Sequence, residues 1–332
     1  MVRGDYDALD EEAQIEALRR VALVATATFG LDVASMETVL HGYNTTFRVD
    51  TVQGRRVALR VNTNSKSTVA HVVAQQSWVH AIARDTDVLV PDAVATPEGR
   101  TVVAVTCPEA SRDLLCVVNT WLEGPDVGEC DAVQAAALGR AMATLHDHAR
   151  SFVGPAAALP VYDEPLLGDE NLLEHSPLLD DDGQAVLAEA FARTRAAFAA
   201  QPRGARAIAL HADLHGGNLK WHDDRLAVFD FDDAGVGAPL FDLAVAAFYL
   251  RGSDPTVEDA LYAGYAAVAP LPAGWEQLEA LVAARQLLLA NSLLMSSTAS
   301  LRDEATGYLD TTVRRLRHWL DAGHFRLDPP GD

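Results

Sequence analysis

The sequence predicts an α+β fold in which a small antiparallel sheet precedes a mostly helical region. Strand-like alternation and turn residues are confined to the first part of the chain, whereas helical periodicity dominates from Asp131 onwards. The chain has 332 residues, of which 49% are hydrophobic and 22% charged, and this is the composition of a packed globular protein. We therefore predict two parts, residues 1–120 and residues 121–332.

A helix is predicted over residues 11–29, at the start of the first part. Ile15, Leu18 and Val21 repeat there at helical spacing. Gly30 follows, and glycine is the residue type that most often ends a helix, because it adopts the left-handed conformation easily.

After this helix the period changes from helical to alternating. Two alternating runs, TTFRVD at 45–50 and RVALRV at 56–61, flank a turn at Gln53 and Gly54. They predict a β-hairpin. A further helix and two more strand-like runs complete the first part, over 65–83, 101–106 and 114–119.

Helices dominate the second part. Asp131 is a suitable N-cap, and Leu138, Met142 and Leu145 lie on one face of the helix that follows it. Further helices are predicted over 182–200, 239–250, 256–268, 275–299 and 303–321. Between residues 210 and 231, a polar loop, HADLHGGN, and two short apolar runs interrupt the helices. Since loops on rigid scaffolds carry most chemistry, we expect a site there.

Charge and cysteine content argue against several classes of function. The chain has 26 Lys and Arg against 47 Asp and Glu, a net charge of −21, which disfavours nucleic acid and anionic membranes as partners. The acid surplus either keeps the protein soluble or favours a cationic partner. The three cysteines form no CxxC pair, so neither zinc nor a disulfide framework is indicated. The N-terminal residues lack the apolar core of a secretion signal, and no stretch approaches the ~18 uninterrupted apolar residues that a spanning helix needs. We therefore expect a cytoplasmic protein.

Three polar residues around the 210–231 interruption match the needs of phosphoryl transfer. That reaction needs a base that orients the attacking hydroxyl, and oxygen ligands that hold Mg²⁺ on the phosphates. Asp213 lies in the polar loop and is the candidate base. Asn218 and Asp230 lie on the adjoining short strands and are the candidate magnesium ligands.

A second interpretation of the same loop is a metal centre of a hydrolase. His211, Asp213 and His215 occupy alternate positions and could bind zinc or iron. The other histidines that could complete such a centre lie on a predicted helix or in a turn, at His146, His148 and His222. Because further ligands at a sensible spacing are missing, phosphoryl transfer is the preferred interpretation.

The order of these motifs resembles the aminoglycoside phosphotransferase and choline kinase family. The resemblance is carried by H-x-D-x-H-x-x-N at 211–218, followed by an apolar strand that ends in D-F-D. It extends from the hairpin near Tyr43 to at least Leu250. The segment DFDDAGVG is most similar to a bacterial group that includes homoserine-kinase-like and stress-response-kinase-like members. The resemblance implies a two-lobed, protein-kinase-like fold, with the first part as the nucleotide-binding lobe and the second as the catalytic and acceptor-binding lobe.

The resemblance also implies a set of nucleotide contacts. GYNTTFRV is similar to the hairpin that covers the nucleotide. NTWLEG is similar to the hinge between the lobes, which the resemblance places at about 120–124. The ATP contacts that it implies in these segments are Gly42, Asn44, Trp121 and Leu122. Where kinases place a lysine on the third strand, this sequence has Arg60, and in place of the glutamate partner of that lysine it has Gln75. An Arg–Gln pair can still hydrogen-bond, and arginine still supplies charge for the phosphates, although its planar fork differs from a lysine.

Five polar residues near the motif have less definite expected roles. His211 is expected to hold the loop rather than to carry a proton, and His215 is expected to brace the loop or to contact phosphate. Asp232 and Asp233 follow the metal aspartate and would face a cationic acceptor, a second metal or solvent. Asp242 is expected to brace the catalytic loop.

The resemblance implies Mg²⁺ and ATP, with GTP as the alternative donor. The acceptor stays open among an aminoglycoside, an amino alcohol such as homoserine or choline, a sugar, and a protein serine or threonine. The acidic composition favours a small amine-bearing molecule. Because Arg60 and Gln75 depart from the usual pair, a nucleotide-binding regulator without turnover is the alternative of a different class. We expect a γ-phosphoryl transferase that acts on a hydroxyl group.

Overall fold

The computed structural model describes residues 5–152, 154, 156–202, 207–252 and 254–330. Its first part is a five-stranded antiparallel sheet with the strand order β1, β2, β3, β5, β4. The strands are β1 Val33–His41, β2 Thr45–Thr51, β3 Arg56–Val61, β4 Val103–Cys107 and β5 Arg112–Thr120. Helix α1, Glu11–Thr28, precedes the sheet, and helix α2, Val69–Asp85, follows β3.

Helix α1 agrees with the sequence prediction. Asp10 caps it by accepting a hydrogen bond from the N–H of Ala13 at 2.9 Å, and Gly30 adopts a φ of 69° just after its end. The helix packs on the sheet, and Leu18 and Phe47 are fully buried in the shared core.

Strand β1 is not predicted by the sequence pattern. It is an edge strand that pairs only with β2, and its register is shifted at two places. Its neighbours Val39 and Leu40 are both exposed, so burial does not alternate along it. The predicted β2–β3 hairpin is present, with Thr46 opposite Arg60. A strand with one partner and one partly solvated face needs no regular apolar pattern, which is why the sequence did not indicate it.

The second part contains six helices and two small two-stranded sheets among its described residues. The helices are α3 Ala132–Ser151, α4 Asp181–Ala200, α5 Pro239–Leu250, α6 Pro255–Ala266, α7 Leu278–Met295 and α8 Ala299–Ala322. Between α4 and α5, β6 pairs with β9 and β7 pairs with β8, all antiparallel. These strands are β6 Ile208–Leu210, β7 Leu219–His222, β8 Arg225–Val228 and β9 Gly235–Gly237. The predicted α+β class is confirmed.

Helices α3 and α6 approach each other through two glycines. A Cβ atom on Gly139 would lie 2.0 Å from the carbonyl oxygen of Leu261, and one on Gly264 would lie 2.1 Å from that of Ala136. Any side chain at these positions would push the helices apart. The close contact fixes α3, which carries His146 into the site described below.

Helix α7 runs through the core of the second part. With the turn before it, Trp275–Met295 is long and apolar enough to cross a membrane by length and composition alone, and it is the one such helix in the described ranges. However, 61% of that window is buried inside the protein, and Leu281, Val282 and Leu287 are fully buried in a hydrophobic cluster. An apolar helix with this burial is expected in the core of a large globular domain.

Backbone hydrogen bonds hold the segment that follows β5 against residues 216–219. The N–H of Val127 donates to the carbonyl oxygen of Leu219 at 2.9 Å, and the N–H of Gly128 donates to that of Gly216 at 3.0 Å. A Cβ atom on Gly216 would lie 1.6 Å from the Gly128 oxygen, so this contact requires glycine. Strand β5 ends at Thr120, and the division into lobes at 120–124 stays a prediction.

The α7–α8 loop, residues 296–298, joins the second part to the first. Thr298 Oγ1 donates to the carbonyl oxygen of Gly42 at 2.6 Å. The N–H of Ser297 donates to Asn64 Oδ1 at 2.8 Å, and Gln14 Nε2 donates to the carbonyl oxygen of Ser297 at 2.9 Å. The turn between β1 and β2 is therefore tied to the C-terminal helices.

Candidate functional site

A buried carboxylate holds the loop between β6 and β7. Asp242, in the first turn of α5, accepts hydrogen bonds from the N–H of His211 at 3.2 Å and from that of Ala212 at 2.6 Å. Its Oδ2 also lies 3.0 Å from His146 Nε2. Ala212 adopts the left-handed conformation, with a φ of 64°, so the chain turns sharply before Asp213. Asp242 thus fixes the backbone that carries Asp213.

His211 is fully buried and uses both ring nitrogens within the loop. Its Nε2 lies 2.9 Å from the carbonyl oxygen of Phe229, and its Nδ1 accepts the N–H of Asp213 at 3.3 Å. Burial lowers the pKa of His211, so the ring is neutral and its proton lies on Nε2. His215 Nδ1 likewise accepts the N–H of Gly217 at 3.1 Å. No group of three or more His, Cys, Asp or Glu side chains that could hold a metal ion lies within the described part of the chain.

Three polar side chains surround the Asp213 carboxylate. Asn218 Nδ2 donates to its Oδ2 and to its backbone carbonyl, at 2.9 Å each. Arg285 Nη2 donates to its Oδ1, and His215 Nε2 lies 3.6 Å from its Oδ2. Burial alone would raise the pKa of Asp213, but the charge of Arg285 and the contact with His215 outweigh burial and hold that pKa at about 2. Asp213 is therefore ionised at neutral pH.

Arg285 is a site residue that the sequence did not predict. It lies in the middle of α7, with 5% of its side chain exposed. Its Nη2 also donates to the Tyr249 hydroxyl at 2.9 Å, and its guanidinium lies 5.5 Å from the centre of the Tyr249 ring. The sequence signal is weak, because Arg285 is only a single basic residue in an apolar helix and its partner Asp213 lies 72 residues away.

The charges of Asp213, Arg285, Asp230 and Arg60 all act on Asp233, and we call the region around it the cleft. At the end of the cleft away from Asp213, Arg60 contacts the aspartates that follow β8. Its Nη1 lies 3.1 Å from Asp230 Oδ1 and also contacts Asp232 Oδ1, and its Nε donates to Asn62 Oδ1 at 3.1 Å. Asp230 adopts the left-handed conformation, with a φ of 62°. Burial lowers the pKa of Arg60, against the opposing effects of Asp230 and Asp233, and a guanidinium stays charged under such a shift. The structure therefore places a cation beside Asp230.

Gln75 does not pair with Arg60, which corrects the expectation from the sequence. Its Nε2 instead donates to the backbone carbonyl of Asp232 at 2.6 Å. The physical reason is that carboxylates outcompete a neutral amide for a buried guanidinium. In the turn between β1 and β2, Asn44 donates to Asp232 Oδ2 at 2.6 Å, and Gly42 donates its N–H to the carbonyl oxygen of Asn44 at 3.0 Å. Asp232 is thus the point where this turn and helix α2 meet the segment after β8.

Asp233 is a further carboxylate beside Asp213. Burial raises its pKa to about 7, helped by the negative charge of Asp213 and opposed by Arg285. Its backbone carbonyl accepts the hydroxyl of Tyr162 at 2.7 Å. Burial and the charge of Asp233 together raise the pKa of Tyr43 and of Tyr162. A positively charged partner would relieve this concentration of negative charge.

The chain between β5 and α3 begins with two half-buried residues, Trp121 and Leu122. The ring of Trp121 packs under Lys220 of β7, whose Nζ lies 5.5 Å from the ring centre. Lys220 Nζ also donates to the carbonyl oxygen of Gly124 at 3.0 Å. The Trp121 ring is therefore occupied by packing against the chain itself.

Comparison with known sequences identifies the family. A model of the phosphotransferase enzyme family matches residues 36–281. An uncharacterised protein of Deinococcus radiodurans is 30% identical over 228 residues, which are 68% of this chain and 65% of that protein. An uncharacterised protein of Synechocystis sp. is 24% identical over 219 residues, which are 64% of this chain and 60% of that protein. In both cases the match spans less than two thirds of the relative.

Solved structures of small-molecule kinases share the fold. A microcompartment-associated aminopropanol kinase has a TM-score of 0.72 at 24% identity and covers 92% of this chain and 99% of its own. An amicoumacin kinase in complex with AMP-PNP and Ca²⁺ has a TM-score of 0.68 at 16% identity, with coverage of 92% and 96%. A spectinomycin phosphotransferase in complex with ADP and spectinomycin has a TM-score of 0.62 at 12% identity, with coverage of 88% and 93%. These likenesses confirm the predicted kinase-like fold.

The family match includes the residues that carry the motif. It begins within β1, contains Asp213, Asn218 and Asp230, and ends near the start of α7. Arg285 and the α7–α8 loop lie beyond it. Since the match covers more than half of the chain, the chain belongs to the phosphotransferase enzyme family.

Proposed function

We propose that this chain transfers the γ-phosphoryl group of Mg-ATP to a hydroxyl group of a small, amine-bearing molecule. The observation that carries the proposal is the content of one cleft, where ionised Asp213 is bonded to Asn218 and the cation Arg60 is bonded to Asp230. Phosphoryl transfer requires such a set: a base for the hydroxyl, oxygen ligands for magnesium and a cation for the phosphates. The family supports the same class of reaction.

Asn218 and Asp230 would hold the magnesium. Asn218 uses its amide nitrogen for Asp213, so its amide oxygen is the atom left for a cation, and Asp230 offers a carboxylate at the end of β8. Hard oxygen donors of this kind, few in number, suit Mg²⁺. The ion would supply charge neutralisation on the β- and γ-phosphates. Asp230 and Asn218 would fix its position relative to Asp213.

Arg60 and the β1–β2 turn would hold the phosphates. Arg60 would share its guanidinium between Asp230 and phosphate oxygens, because the planar fork accepts both partners. Gly42 and Asn44 would cover the triphosphate. Since Asn44 bonds to Asp232 in the structure, that hydrogen bond would have to give way when the nucleotide enters.

The division into lobes belongs to the same proposal. Residues 1–120 would be the nucleotide lobe and residues 121–332 the catalytic and acceptor lobe. The backbone groups of Trp121 and Leu122, directly after β5, would meet the adenine. This role uses the backbone, which agrees with the packing of the Trp121 ring against Lys220.

The acceptor would lie between Asp213 and Asp233. Asp213 would take the hydroxyl proton as the acceptor oxygen bonds to phosphorus. Asp233, whose pKa burial raises to about 7, would be stabilised in its ionised form by an ammonium group on the acceptor. The net charge of −21 favours the approach of a cation. The aminopropanol kinase of the same fold is named for an amino alcohol.

The test is ADP release from Mg-ATP with a panel of hydroxyl compounds. The panel contains 1-amino-2-propanol, choline, homoserine, an aminoglycoside, a Ser/Thr peptide, and propane-1,2-diol as the matched compound without an amine. We expect release with an amine-bearing small molecule to exceed release with the diol and to require Mg²⁺. Preference for the peptide would indicate a protein kinase. Stabilisation by Mg-ATP without release with any compound would indicate a nucleotide-binding regulator.

A further inference from the structure

The guanidinium of Arg285 is buried but only partly hydrogen-bonded. Its Nη2 donates to Asp213 Oδ1 and to the Tyr249 hydroxyl. Its Nε, in contrast, is buried and has no hydrogen-bond partner within the described ranges. A buried donor without a partner is destabilising. A charge kept in this position at a cost to stability indicates a role other than holding the fold.

Arg251 shows how this protein uses a buried arginine for structure. It is 4% exposed, and its Nε, Nη1 and Nη2 all donate to the carboxylates of Glu258 and Glu279 at 2.6 to 3.1 Å. Its Nη1 also donates to the carbonyl oxygen of Phe325 at 3.2 Å. Every nitrogen of this guanidinium is used, and it joins α5 to α6, α7 and the C-terminal segment. Arg285 instead has one carboxylate partner, and its buried Nε has no hydrogen-bond partner within the described ranges.

We propose that Arg285 is a positioning residue for phosphoryl transfer and that it acts through Asp213. The inference rests on the proposed function, in which Asp213 meets the acceptor hydroxyl. Arg285 donates to Oδ1 of the carboxylate and Asn218 donates to Oδ2. With both oxygens held, the plane of the carboxylate is fixed. Each oxygen keeps a further acceptor position, and the acceptor hydroxyl donates there.

Tyr249 holds Arg285 in turn. Its hydroxyl accepts from Nη2 at 2.9 Å, and its ring lies beside the guanidinium. The same ring stacks on His215, with 4.4 Å between the ring centres. His215 Nε2 lies 3.6 Å from Asp213 Oδ2. Contacts from α5, α7 and the catalytic loop therefore converge on one carboxylate.

The orientation of this carboxylate matters at the moment of transfer. The acceptor oxygen forms a bond to the γ-phosphorus, the bond from that phosphorus to the ADP oxygen breaks, and the hydroxyl proton passes to Asp213. A displacement of about 1 Å in such an arrangement is felt as about 10² in rate. Loss of Arg285 should therefore lower kcat by about 10². The KM for ATP should change little, because the hydrogen bonds of Arg285 go to Asp213 and Tyr249, which are not among the residues proposed to bind the nucleotide.

The experiment compares Arg285→Ala and Arg285→Lys with the control Arg251→Ala, or Arg251→Lys if the alanine variant does not fold. Transfer is measured to the most active alcohol of the panel, or to water if no alcohol reacts. Arg285→Lys should keep part of kcat, since it retains the charge but not the fork. Millimolar guanidinium chloride, far below denaturing concentrations, should restore part of kcat to Arg285→Ala. The Arg251 variant should lose melting temperature, keep its kcat and gain nothing from guanidinium.

A double variant separates this inference from the proposed function. If Arg285 acts through Asp213, Arg285→Ala should cause no further loss of kcat in an Asp213→Asn background. Near wild-type kcat in Asp213→Asn alone would overturn the proposed function. A slow Asp213→Asn together with an unimpaired Arg285→Ala would overturn only the inference. The inference alone would also be overturned by a second result. In that result, the fold-losses in kcat of Arg285→Ala and Asp213→Asn multiply in the double variant, and guanidinium restores no activity to Arg285→Ala.

Discussion

Two buried arginines reach the same cleft, and they differ in where their partner aspartates come from. Arg60 lies on the sheet and contacts Asp230 and Asp232 of the second part, so its ion pairs bridge the two parts. Arg285 lies on α7 and contacts Asp213 within the second part. An ion pair that bridges the cleft can exchange partners when a nucleotide enters. The ion pair of Arg285 with Asp213 lies inside one packed region, which suits a base whose position must stay fixed.

The cleft contains more carboxylates than arginines. Among the described residues, the carboxylates of Asp213, Asp230, Asp232 and Asp233 have Arg60 and Arg285 as contacting or nearby arginines. Like charges held close together in a buried site repel strongly. Nucleotide phosphates would add to this surplus, so we expect ATP to bind only together with a divalent cation. Substitutions that affect one arginine and its partner at a time can distinguish the functions of the two ends of the cleft.

Asp213→Asn removes the partner of Arg285 and should have the largest effect. Asparagine keeps the size and one acceptor oxygen but loses charge and basicity, so kcat should fall by about 10² to 10⁴. Mg-ATP should still bind within a few-fold of wild type, because the base acts in transfer and not in holding the donor. ADP release and calorimetric titration with ATP check both parts. Asp223→Asn, in the exposed β7–β8 turn, is the control and should resemble wild type. Equal rates for the two variants would remove Asp213 from the mechanism.

Asp230→Ala removes a partner of Arg60 and should affect the metal and the nucleotide. In wild type, ATP at a hundred times its dissociation constant should add about 2.7 kcal/mol to the free energy of unfolding, and only with Mg²⁺. Most of this stabilisation should disappear in the variant, because a ligand of the ion is lost. Thermal unfolding with Mg-ATP, and with ATP in excess EDTA, measures it. Equal stabilisation of wild type under both conditions would contradict the ligand assignment.

Arg60→Ala removes the cation at the nucleotide end. Charge-assisted hydrogen bonds contribute about 1.5 to 3 kcal/mol, so ATP should bind about 10- to 10²-fold more weakly, whereas adenosine should bind nearly as before. Arg60→Lys should retain part of the affinity for ATP. Titration of both ligands into the three proteins provides the comparison. Identical losses for ATP and adenosine would place Arg60 away from the phosphates.

Asn44→Ala should have the smallest effect. It removes two hydrogen bonds of the β1–β2 turn, one donated to Asp232 and one accepted from the N–H of Thr63. The free energy of unfolding of the protein without nucleotide should therefore fall by about 1 kcal/mol for each bond. At saturating Mg-ATP the difference from wild type should shrink, because the turn then contacts phosphates instead. Urea unfolding with and without Mg-ATP tests this. A difference that stays the same under both conditions would show that the turn does not respond to the nucleotide.

Much of the fold was predictable because its signals are local. The β2–β3 hairpin lies within 45–61, and Gly30 lies just after the end of α1, as predicted. Strand β1 was missed, since its shifted register at the sheet edge leaves Val39 and Leu40 both exposed and hides the alternation. Hydrophobic patterns with a period of two or 3.6 residues reveal elements that bury one face. An edge strand that buries no continuous face shows no such pattern.

The site residues likewise divide into those with local sequence signals and those whose contacts span long separations. Asp213, Asn218 and Asp230 lie close together in sequence, so their spacing alone indicated a shared chemistry. The contact of Arg285 with Asp213 spans 72 residues, and that of Gln75 with Asp232 spans 157. Which partner a buried donor takes at such separations depends on tertiary packing and on competition between acceptors, and no local pattern records either.

The α7–α8 loop determines when the β1–β2 turn can reach its final position during folding. The hydrogen bond from Thr298 to Gly42 joins residues 256 apart in sequence, and the one from Ser297 to Asn64 joins residues 233 apart. Contacts between residues so far apart in sequence close very long loops, so they form late in folding. During synthesis, the turn proposed to cover the phosphates emerges early and has to wait for the end of α7. The sheet can collapse onto α1 before then, but we expect its nucleotide-facing edge to be among the last regions to become ordered.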